Sequence, residues 1–167
     1  MEILDATAAD LPGLLAIYND VIATSTAVFA NDPATLDDRT SWWQQRVAQG
    51  YPVLIARDES GVAGFATFGD FRTWPGYRFT VEHSVHVRAD CRGRGVGAAL
   101  VRALFPRATA LGKHTIVAGI DAANTGSIRF HERLGFERAG LLREVGWKFD
   151  RWLDLVFLVR RIEPQKS

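Results

Sequence analysis

A glycine-rich, cationic stretch directly ahead of a helix is the feature that most limits how this chain can fold. The run "CRGRGVGAAL" (91–100) holds three glycines and two arginines, and it follows the alternating residues of "RFTVEHSVHV", which predict a β-strand. Glycines let the backbone bend inwards, and the next helix begins with unpaired N–H groups and the positive end of its dipole. Because Arg92 and Arg94 add charge, the stretch predicts a cradle for an anion, and a pyrophosphate fits it best.

Two other interpretations of this stretch remain open. Gly93, Gly95 and Ala98 fit the dinucleotide-binding pattern G-x-G-x-x-[GA], and Asp121 lies where that pattern has a ribose-binding acid. Against it, "RADCR" separates the strand from the first glycine, and the strand alternates instead of forming the continuous apolar run of a dinucleotide-binding unit. A flexible surface loop is the simplest alternative.

Short strands and helices alternate along the chain in the predicted order β-α-α-β-β-β-α-β-α-β-β, which is typical of an α/β (α+β) fold. Thr7 with Asp10 and Thr35 with Asp38 are spaced as capping boxes and predict the starts of the first two helices. A turn at 59–60 predicts a hairpin between the second and third strands.

Length and composition exclude several classes of protein. We expect one domain with its own core over residues 1–162, followed by a tail at 163–167. Twenty basic and 19 acidic side chains leave a net charge of +1, which provides no overall field for nucleic acid or an anionic membrane. No apolar run approaches the roughly 20 residues that span a bilayer, and the first residues lack a signal-peptide pattern. The single cysteine, Cys91, cannot form an internal disulfide, which fits a reducing compartment. The predicted location is therefore the cytoplasm, with no nucleic-acid or membrane partner.

Two motifs resemble those of the GNAT family of acyl-CoA-dependent N-acyltransferases. Arg92-x-x-Gly95-x-Gly97 is similar to the family signature [QR]-x-x-G-x-[GA] and stands between the fourth strand and the third helix, as in the family. Asn124-x-x-Ser127 followed by "FHERLGF" resembles the family's later motif. The similarity extends over nearly the whole chain and is greatest to the subgroup of phosphinothricin and methionine sulfoximine acetyltransferases, on "FTVEHSVHV", "NTGSIRFHERLGF" and "VGWKFDRWLDLVF".

The departures from that subgroup are few. His86 replaces a usual tyrosine, Thr125-Gly126 stands where alanines are common, and Asp150 replaces a frequent glycine. They bear on substrate choice more than on coenzyme binding. The resemblance implies a GNAT fold with a central, mixed, mostly antiparallel twisted sheet flanked by helices, in which two splayed strands hold acyl-CoA. It also implies acetyl-CoA as cosubstrate, no metal and a homodimer.

The resemblance further implies where the coenzyme binds. Its pyrophosphate would lie in the glycine cradle, and its pantetheine arm would pair by strand addition with the open edge of Val85, His86 and Val87. Asn124 would point toward that arm, with a purely structural helix cap as the alternative, and Arg133 would either complement the helix dipole or touch the nucleotide end. The predicted coenzyme-binding residues are Val85, His86, Val87, Arg92, Gly93, Arg94, Gly95, Val96, Gly97, Ala98, Asn124, Ser127 and Arg133.

Acetyl transfer to an amine needs a base, a donor for the developing oxyanion and a proton for the departing thiolate. Glu82 is the predicted base, because burial would raise the pKa of its carboxyl toward the working pH; a charge that faces solvent or pairs with Arg78 is the alternative. His131 stands where many relatives have a tyrosine credited with protonating the thiolate, so it is the predicted acid, with a helix-surface histidine as the alternative. The Val87 N–H is the predicted oxyanion donor.

The segment "FRTWPGYRF" (71–79) is the predicted acceptor site. Arg72 and Arg78 lie there among aromatic residues, and a guanidinium pairs with a carboxylate through two hydrogen bonds, so an amino acid would present its α-amine to Glu82. A solvated loop is the alternative. The resemblance adds Phe29, and Lys148 from a second subunit. The predicted substrate-binding residues are Phe29, Arg72, Thr73, Trp74, Arg78, Glu82, His83, Ser84 and Lys148.

These residues predict an acetyl-CoA-dependent N-acetyltransferase that acts by direct attack, in a ternary complex, on a small amino-acid analogue of the phosphinothricin, methionine sulfoximine or methionine sulfone type. An acetyltransferase for protein N-termini or another amine, and a non-catalytic acyl-CoA-binding sensor, are the alternatives. Cys91 is a poor candidate for an acyl-carrying nucleophile, because no base adjoins it in the sequence. A metal site is disfavoured, since "HERLG" lacks a second histidine and His83 and His86 would point to opposite faces of a strand.

Overall fold

The order of strands and helices predicted from the sequence is confirmed by the computed structural model, which describes residues 1–162. The predicted tail at 163–167 lies outside the described residues. The strands are β1 (Glu2–Asp5), β2 (Val53–Asp58), β3 (Gly61–Asp70), β4 (Thr80–Val87), β5 (Thr115–Asp121), β6 (Glu137–Lys148) and β7 (Arg151–Arg161). The helices are α1 (Leu11–Thr24), α2 (Leu36–Ala48), α3 (Val96–Ala110) and α4 (Thr125–Arg133).

Both predicted capping boxes are present at the helix starts. The Thr35 hydroxyl accepts a hydrogen bond from the Asp38 N–H at 3.1 Å, and the Asp38 carboxylate accepts one from the Thr35 N–H at 2.8 Å. The Asp10 carboxylate accepts from the Thr7 N–H at 2.9 Å, and a short 3-10 turn (Ala8–Asp10) precedes α1. None of the helices in residues 1–162 is long and apolar enough to cross a membrane.

The seven strands form one sheet in the order β1-β2-β3-β4-β5-β7-β6. Every neighbouring pair is antiparallel except β4 and β5, so the predicted mixed, mostly antiparallel sheet is confirmed. The parallel pairing covers Thr80 with Thr115, Val81 with Ile116 and Glu82 with Val117, and it stops there although β4 continues to Val87. The two strands therefore separate after Glu82, and the sheet splits into an N-terminal half (β1 to β4) and a C-terminal half (β5 to β7).

Helices cover both faces of the sheet. On one face, Leu14 and Ile17 of α1 pack with Phe65 of β3, and the Trp42 ring of α2 packs edge-on against the Phe65 ring. On the other face, α3 and α4 pack against alternate strand residues such as Val81. Even-numbered residues of β4 from Glu82 to His86 thus face α1 and α2, and odd-numbered residues face α3 and α4.

Candidate active site

The split between β4 and β5 opens a cavity of about 820 Å³ that reaches the start of α3. Its wall brings together most of the residues predicted to bind the coenzyme, although these come from β4, the glycine stretch and α4. Arg94 is exposed and does not line it. His131, the predicted acid, also lines it. The predicted coenzyme-binding residues that line it are Val85, His86, Val87, Arg92, Gly93, Gly95, Val96, Gly97, Ala98, Asn124, Ser127 and Arg133.

The strand edge along this cavity has free backbone groups. The Arg88 N–H donates to the Ala63 carbonyl at 2.9 Å, and N–H groups alternate in direction along a strand that pairs on one side, so the N–H groups of Val87 and Val85 point away from β3 and into the split. The Val87 carbonyl faces the same way and accepts from Nε of Arg92 at 3.2 Å. An extended ligand with amide groups can pair with this edge as an additional strand.

The glycine stretch forms the other end of the cavity. Gly93 and Gly95 have positive φ angles of 74° and 81°, which favour glycine, and a Cβ on either would project into open space. Gly95 is also the N-cap of α3, so the first N–H groups of that helix face the cavity. Arg92 lies 3.6 Å from the Asp20 carboxylate, a loose surface pair that leaves its charge available to an anion.

The dinucleotide interpretation does not fit this geometry. A 3-10 turn (Ala89–Cys91) separates β4 from the glycines, and β4 pairs antiparallel with β3. Asp121, the proposed ribose ligand, is buried, and its carboxylate accepts hydrogen bonds from the Thr26 hydroxyl and the Ala123 N–H.

Asn124 caps α4. Its side-chain oxygen accepts a hydrogen bond from the Ser127 N–H at 3.0 Å, so the helix-capping role that was the alternative for Asn124 is present. Asn124 and Ser127 also line the cavity, together with Arg133 in the last turn of the same helix.

Glu82 stands at the point where the strands separate. Its half-buried carboxyl lies beside Gly119 of β5, so close that a Cβ on Gly119 would be 2.9 Å from Oε1. Burial raises the pKa of this carboxyl, and the positive charge of Arg72 partly opposes the rise. Among the described residues, Glu82 makes no ion pair or side-chain hydrogen bond, so the alternative pairing with Arg78 is not formed.

The arginine loop (residues 71–79) is exposed on the same face as Glu82. The Arg72 guanidinium lies 4.4 Å from the centre of the Phe71 ring and is near enough to Glu82 to affect the pKa of its carboxyl. The Arg78 guanidinium lies over the Phe79 ring instead. Thr73 and Trp74 are exposed, and neither lines the cavities next to β4.

His83 and His131 form a buried pair that the sequence did not predict. Nδ1 of His131 is 2.7 Å from the Ser127 carbonyl and must donate to it, which leaves Nε2 of His131 to accept from Nε2–H of His83 at 3.1 Å. Burial lowers the pKa of both imidazoles, that of His83 to about 3, so the pair is neutral. Both nitrogens of His131 are thus engaged, and its role as the acid stays a prediction that requires this pair to rearrange.

His83 and His86 lie on opposite faces of β4, as the alternation of the strand predicts. His83 contacts His131 of α4, whereas His86 lies against Phe65 and Tyr18 on the α1 face. Within the part of the chain that the structure describes, no group of three or more His, Cys, Asp or Glu side chains is arranged to hold a metal ion.

Lys148 is oriented differently from the prediction of a substrate contact across subunits. Its side chain is buried, and its ammonium donates to the carbonyls of Ile22, Ser25 and Val28 of the same chain at 2.7, 2.7 and 2.8 Å. All three donors are used, which argues against a direct contact with substrate. Phe29, the other residue added by resemblance, lies over Gly146 of β6.

Cys91 has the properties of a structural thiol. It is 3% exposed, and burial, with hydrogen bonds to Asp90 and Asp58, raises the pKa of the thiol. A thiol held in its protonated form is a poor nucleophile, so an acetylated Cys91 is not favoured.

Several site residues were missed at the level of sequence. Gly119 had a usable signal, because a glycine inside a buried strand marks a close approach by another group. Arg102 and Phe130 lie on helices. A single cationic residue on a helix is usually exposed on its surface, and a single aromatic one usually packs in the core, so neither indicated a site. The missed residues that line the large cavity include Val21, Ser25, Ala27, Arg102, Gly126 and Phe130.

The candidate site thus combines a split in a mixed sheet, a glycine turn at the start of α3 and a half-buried carboxyl where the split begins. The sequence profile of the Acetyltransferase (GNAT) family matches residues 14–136, and the chain belongs to this family. It is therefore an acetyltransferase rather than a non-catalytic sensor, and the predicted fold class is confirmed.

Known relatives resemble the chain over almost its full length. The L-methionine sulfoximine/L-methionine sulfone acetyltransferase of Pseudomonas aeruginosa is 50% identical, over 99% of this chain and 97% of the relative. The ribosomal-protein-alanine N-acetyltransferase of Brucella melitensis has a TM-score of 0.95 at 42% identity, over 96% of this chain and 99% of that one. The phosphinothricin acetyltransferase of Sinorhizobium meliloti, solved in complex with acetyl-CoA, has a TM-score of 0.93 at 35% identity, over 99% and 94%.

Proposed function

We propose that the protein transfers the acetyl group of acetyl-CoA to the α-amine of a small amino-acid analogue of the methionine sulfoximine, methionine sulfone or phosphinothricin type. The observation that carries the proposal is the position of Glu82: a half-buried carboxyl with a raised pKa, directly where β4 and β5 separate. Such a group suits a base for an amine. The names of the Pseudomonas and Sinorhizobium relatives support the substrate class.

The cavity fits acetyl-CoA along its length. The cradle of Gly93 and Gly95 at the start of α3 suits the pyrophosphate, and the N–H groups of Val85 and Val87 suit the amides of the pantetheine arm. When bound, acetyl-CoA supplies an activated thioester. The acetyl end of a ligand that follows β4 from Val87 toward its start arrives beside Glu82.

In this proposal the residues of the chain supply the base and hold the coenzyme. Glu82, on the α1 face, accepts the proton of the substrate ammonium, directly or through a water. The Val87 N–H, predicted from the sequence as the oxyanion donor, lies five residues from Glu82, about 16 Å along the strand, so in this proposal it pairs with the pantetheine arm and not with the oxygen that becomes negative. Transfer is direct, because the thiol of Cys91 is buried and protonated.

We infer that Arg72 holds the carboxylate of the acceptor. The Arg72→Ala variant should lose a charge-assisted pair worth roughly 1.5–3 kcal/mol, or about 10- to 150-fold in acceptor affinity. An acceptor whose carboxylate is replaced by an amide should lose much less, and acetyl-CoA binding should barely change. Equal losses for the acid and the amide would show that Arg72 does not hold the carboxylate.

Acetylation of protein N-termini is the second candidate, and the name of the Brucella structure favours it. The test of both is the release of CoA thiol from acetyl-CoA across amino-acid sulfoximines, sulfones, phosphinic analogues, peptides and polyamines. We expect kcat/KM to be highest for the first three classes. A preference for alanine-initiated peptides would favour the second candidate, and no thiol release with any amine would contradict both.

We further propose a homodimer formed through β6. This strand is the last in the sheet, and apolar side chains are exposed along it and its turn, with the Trp147 and Trp152 rings packed edge-on at 4.9 Å. Edge strands with exposed apolar residues favour association. The exposed residues are Leu141, Leu142, Val145, Trp147, Phe149 and Trp152. Sedimentation equilibrium should give twice the chain mass, and Leu141→Glu should reduce it to that of one chain; a monomer in the unmodified protein contradicts the proposal.

A further inference from the structure

The segment that follows α1 crosses the split in the sheet. We call residues 25–29 the crossing segment. It begins at the end of α1, which packs on β3 and β4, and it contacts β5 and β6 on the far side of the opening. The Thr26 hydroxyl donates to the Asp121 carboxylate at the end of β5, and the Phe29 ring lies over Gly146 of β6.

Lys148 makes more hydrogen bonds to this region than the other contacts of the crossing segment do. Its ammonium donates hydrogen bonds to three carbonyls. Ile22 lies in the last turn of α1, Ser25 is the C-cap of that helix, and Val28 lies further along the crossing segment. A buried cation needs compensation, and the carbonyls at a helix C-terminus supply both hydrogen bonds and the negative end of the helix dipole. The Phe149 ring adds a contact 5.0 Å from the ammonium.

The crossing segment forms part of the wall of the site. Ser25 and Ala27 line the large cavity, and Ala27 also lines a smaller one of about 80 Å³ that extends along β4 and β5 past His83 to Gly119, the residue beside the Glu82 carboxyl. Any movement of this segment therefore changes the width of the opening on the face where Glu82 lies.

We propose that Lys148 is a positioning residue that holds the crossing segment over the split and so shapes the acceptor side of the site without touching the acceptor. This rests on the proposed function for the identity of the acceptor. The three hydrogen bonds join β6, in the C-terminal half of the sheet, to the last turn of α1, which packs on the N-terminal half, and to the crossing segment that follows it. Lys148 thereby sets the spacing between the two halves at the open end of the split.

The test is the Lys148→Met variant, which keeps the length of the side chain and removes its donors. Hydrogen exchange followed by mass spectrometry should show the amides of residues 25–29 exchanging at least roughly tenfold faster, since hydrogen bonds to a charged group are lost. KM should rise by roughly tenfold or more for methionine sulfone and for its amide alike, while the Kd of acetyl-CoA changes by less than about threefold. Arg107→Met, which removes a surface pair with Asp5, is the matched control and should change none of these values.

Each result decides for or against the proposal. Unchanged exchange in residues 25–29 would overturn it, and a rise in KM confined to the acid would assign Lys148 a direct contact with the carboxylate instead. If Lys148→Met does not fold, Lys148→Gln, which keeps two of the three N–H donors without the charge, should give the same pattern in smaller measure; unchanged exchange there would also overturn the proposal. Exchange and acetyl-CoA affinity do not depend on the acceptor, so failure of the proposed substrate class is distinguishable from failure of the anchor.

Discussion

Gly119 provides a test of whether the position of Glu82 matters for catalysis, because one added methyl group would reach its carboxyl. In Gly119→Ala the new Cβ would lie 2.9 Å from Oε1 of Glu82, closer than Cβ atoms approach other groups. Its other neighbours, Leu155 and Phe157, would be at 3.5 and 3.6 Å, which is ordinary contact. Only the carboxyl therefore has to move, and it is the far end of a flexible side chain.

The size of the effect follows from that geometry. A shift of about 0.5 Å restores normal contact, and a misplacement of about 1 Å can cost 100-fold in rate, so we expect kcat to fall by roughly 10- to 100-fold, or about 1.4–2.7 kcal/mol in the activation barrier. Stability should change by less than about 1 kcal/mol, because the core accepts the methyl group and alanine constrains the unfolded chain more than glycine does.

The assay is the rate of thiol release at saturating acetyl-CoA and acceptor, together with the midpoint of urea unfolding. Gly140→Ala on β6 is the control, since its added Cβ meets nothing within 4 Å in the single chain; because Gly140 lies on the strand proposed to form the dimer, the mass of this variant in sedimentation must equal that of the unmodified protein. A Gly119→Ala enzyme with the turnover of the unmodified protein would refute the reasoning, because it would mean that the Glu82 carboxyl can move without consequence. A large loss of stability would show that the methyl group disturbs the core instead.

Three further predictions concern the base, the cradle and the thiol. As the proposed base, Glu82 would act only when deprotonated, and burial raises the pKa of its carboxyl, so kcat/KM should fall with decreasing pH through a midpoint above the ordinary value of about 4.3. The Glu82→Gln variant should lower turnover by roughly 10²–10⁴-fold and abolish this pH dependence, and turnover like that of the unmodified protein would mean that the base lies elsewhere. Gly97→Val should weaken acetyl-CoA binding by roughly tenfold or more while leaving the circular dichroism spectrum unchanged. A Cβ at this position would already touch Phe130 and Val87 at 3.4 and 3.5 Å, and the further methyl groups of valine would project into the cavity. Calorimetry that shows equal affinity for acetyl-CoA would contradict the cradle. Cys91→Ser should retain most of its activity if transfer is direct, as proposed, whereas an acetylated Cys91 in intact-protein mass spectra would overturn direct transfer.

The sequence by itself determined the local structure and which residues form the predicted cradle. The Thr35 and Asp38 box could be predicted because its partners lie three residues apart, and the order of elements followed from the spacing of apolar residues. Gly93 and Gly95 marked the cradle because their positive φ angles disfavour other residues. These features depend on neighbours along the chain, and a neighbour is visible in a single sequence.

Only the tertiary structure decided which distant groups meet. Lys148 bonds to the Ile22 carbonyl 126 residues away, and His131 pairs with His83 at a separation of 48 residues. Glu82 could be proposed as the base from its place in a strand, but the room for its carboxyl comes from Gly119 on a strand that is parallel over only three residue pairs. The width of the split and the tautomers of the imidazoles follow from the packing of helices on both faces of the sheet. Packing of this kind depends on side-chain volumes and on backbone carbonyls that only the folded chain brings together. The residue pattern of one segment does not identify which distant segment it will contact.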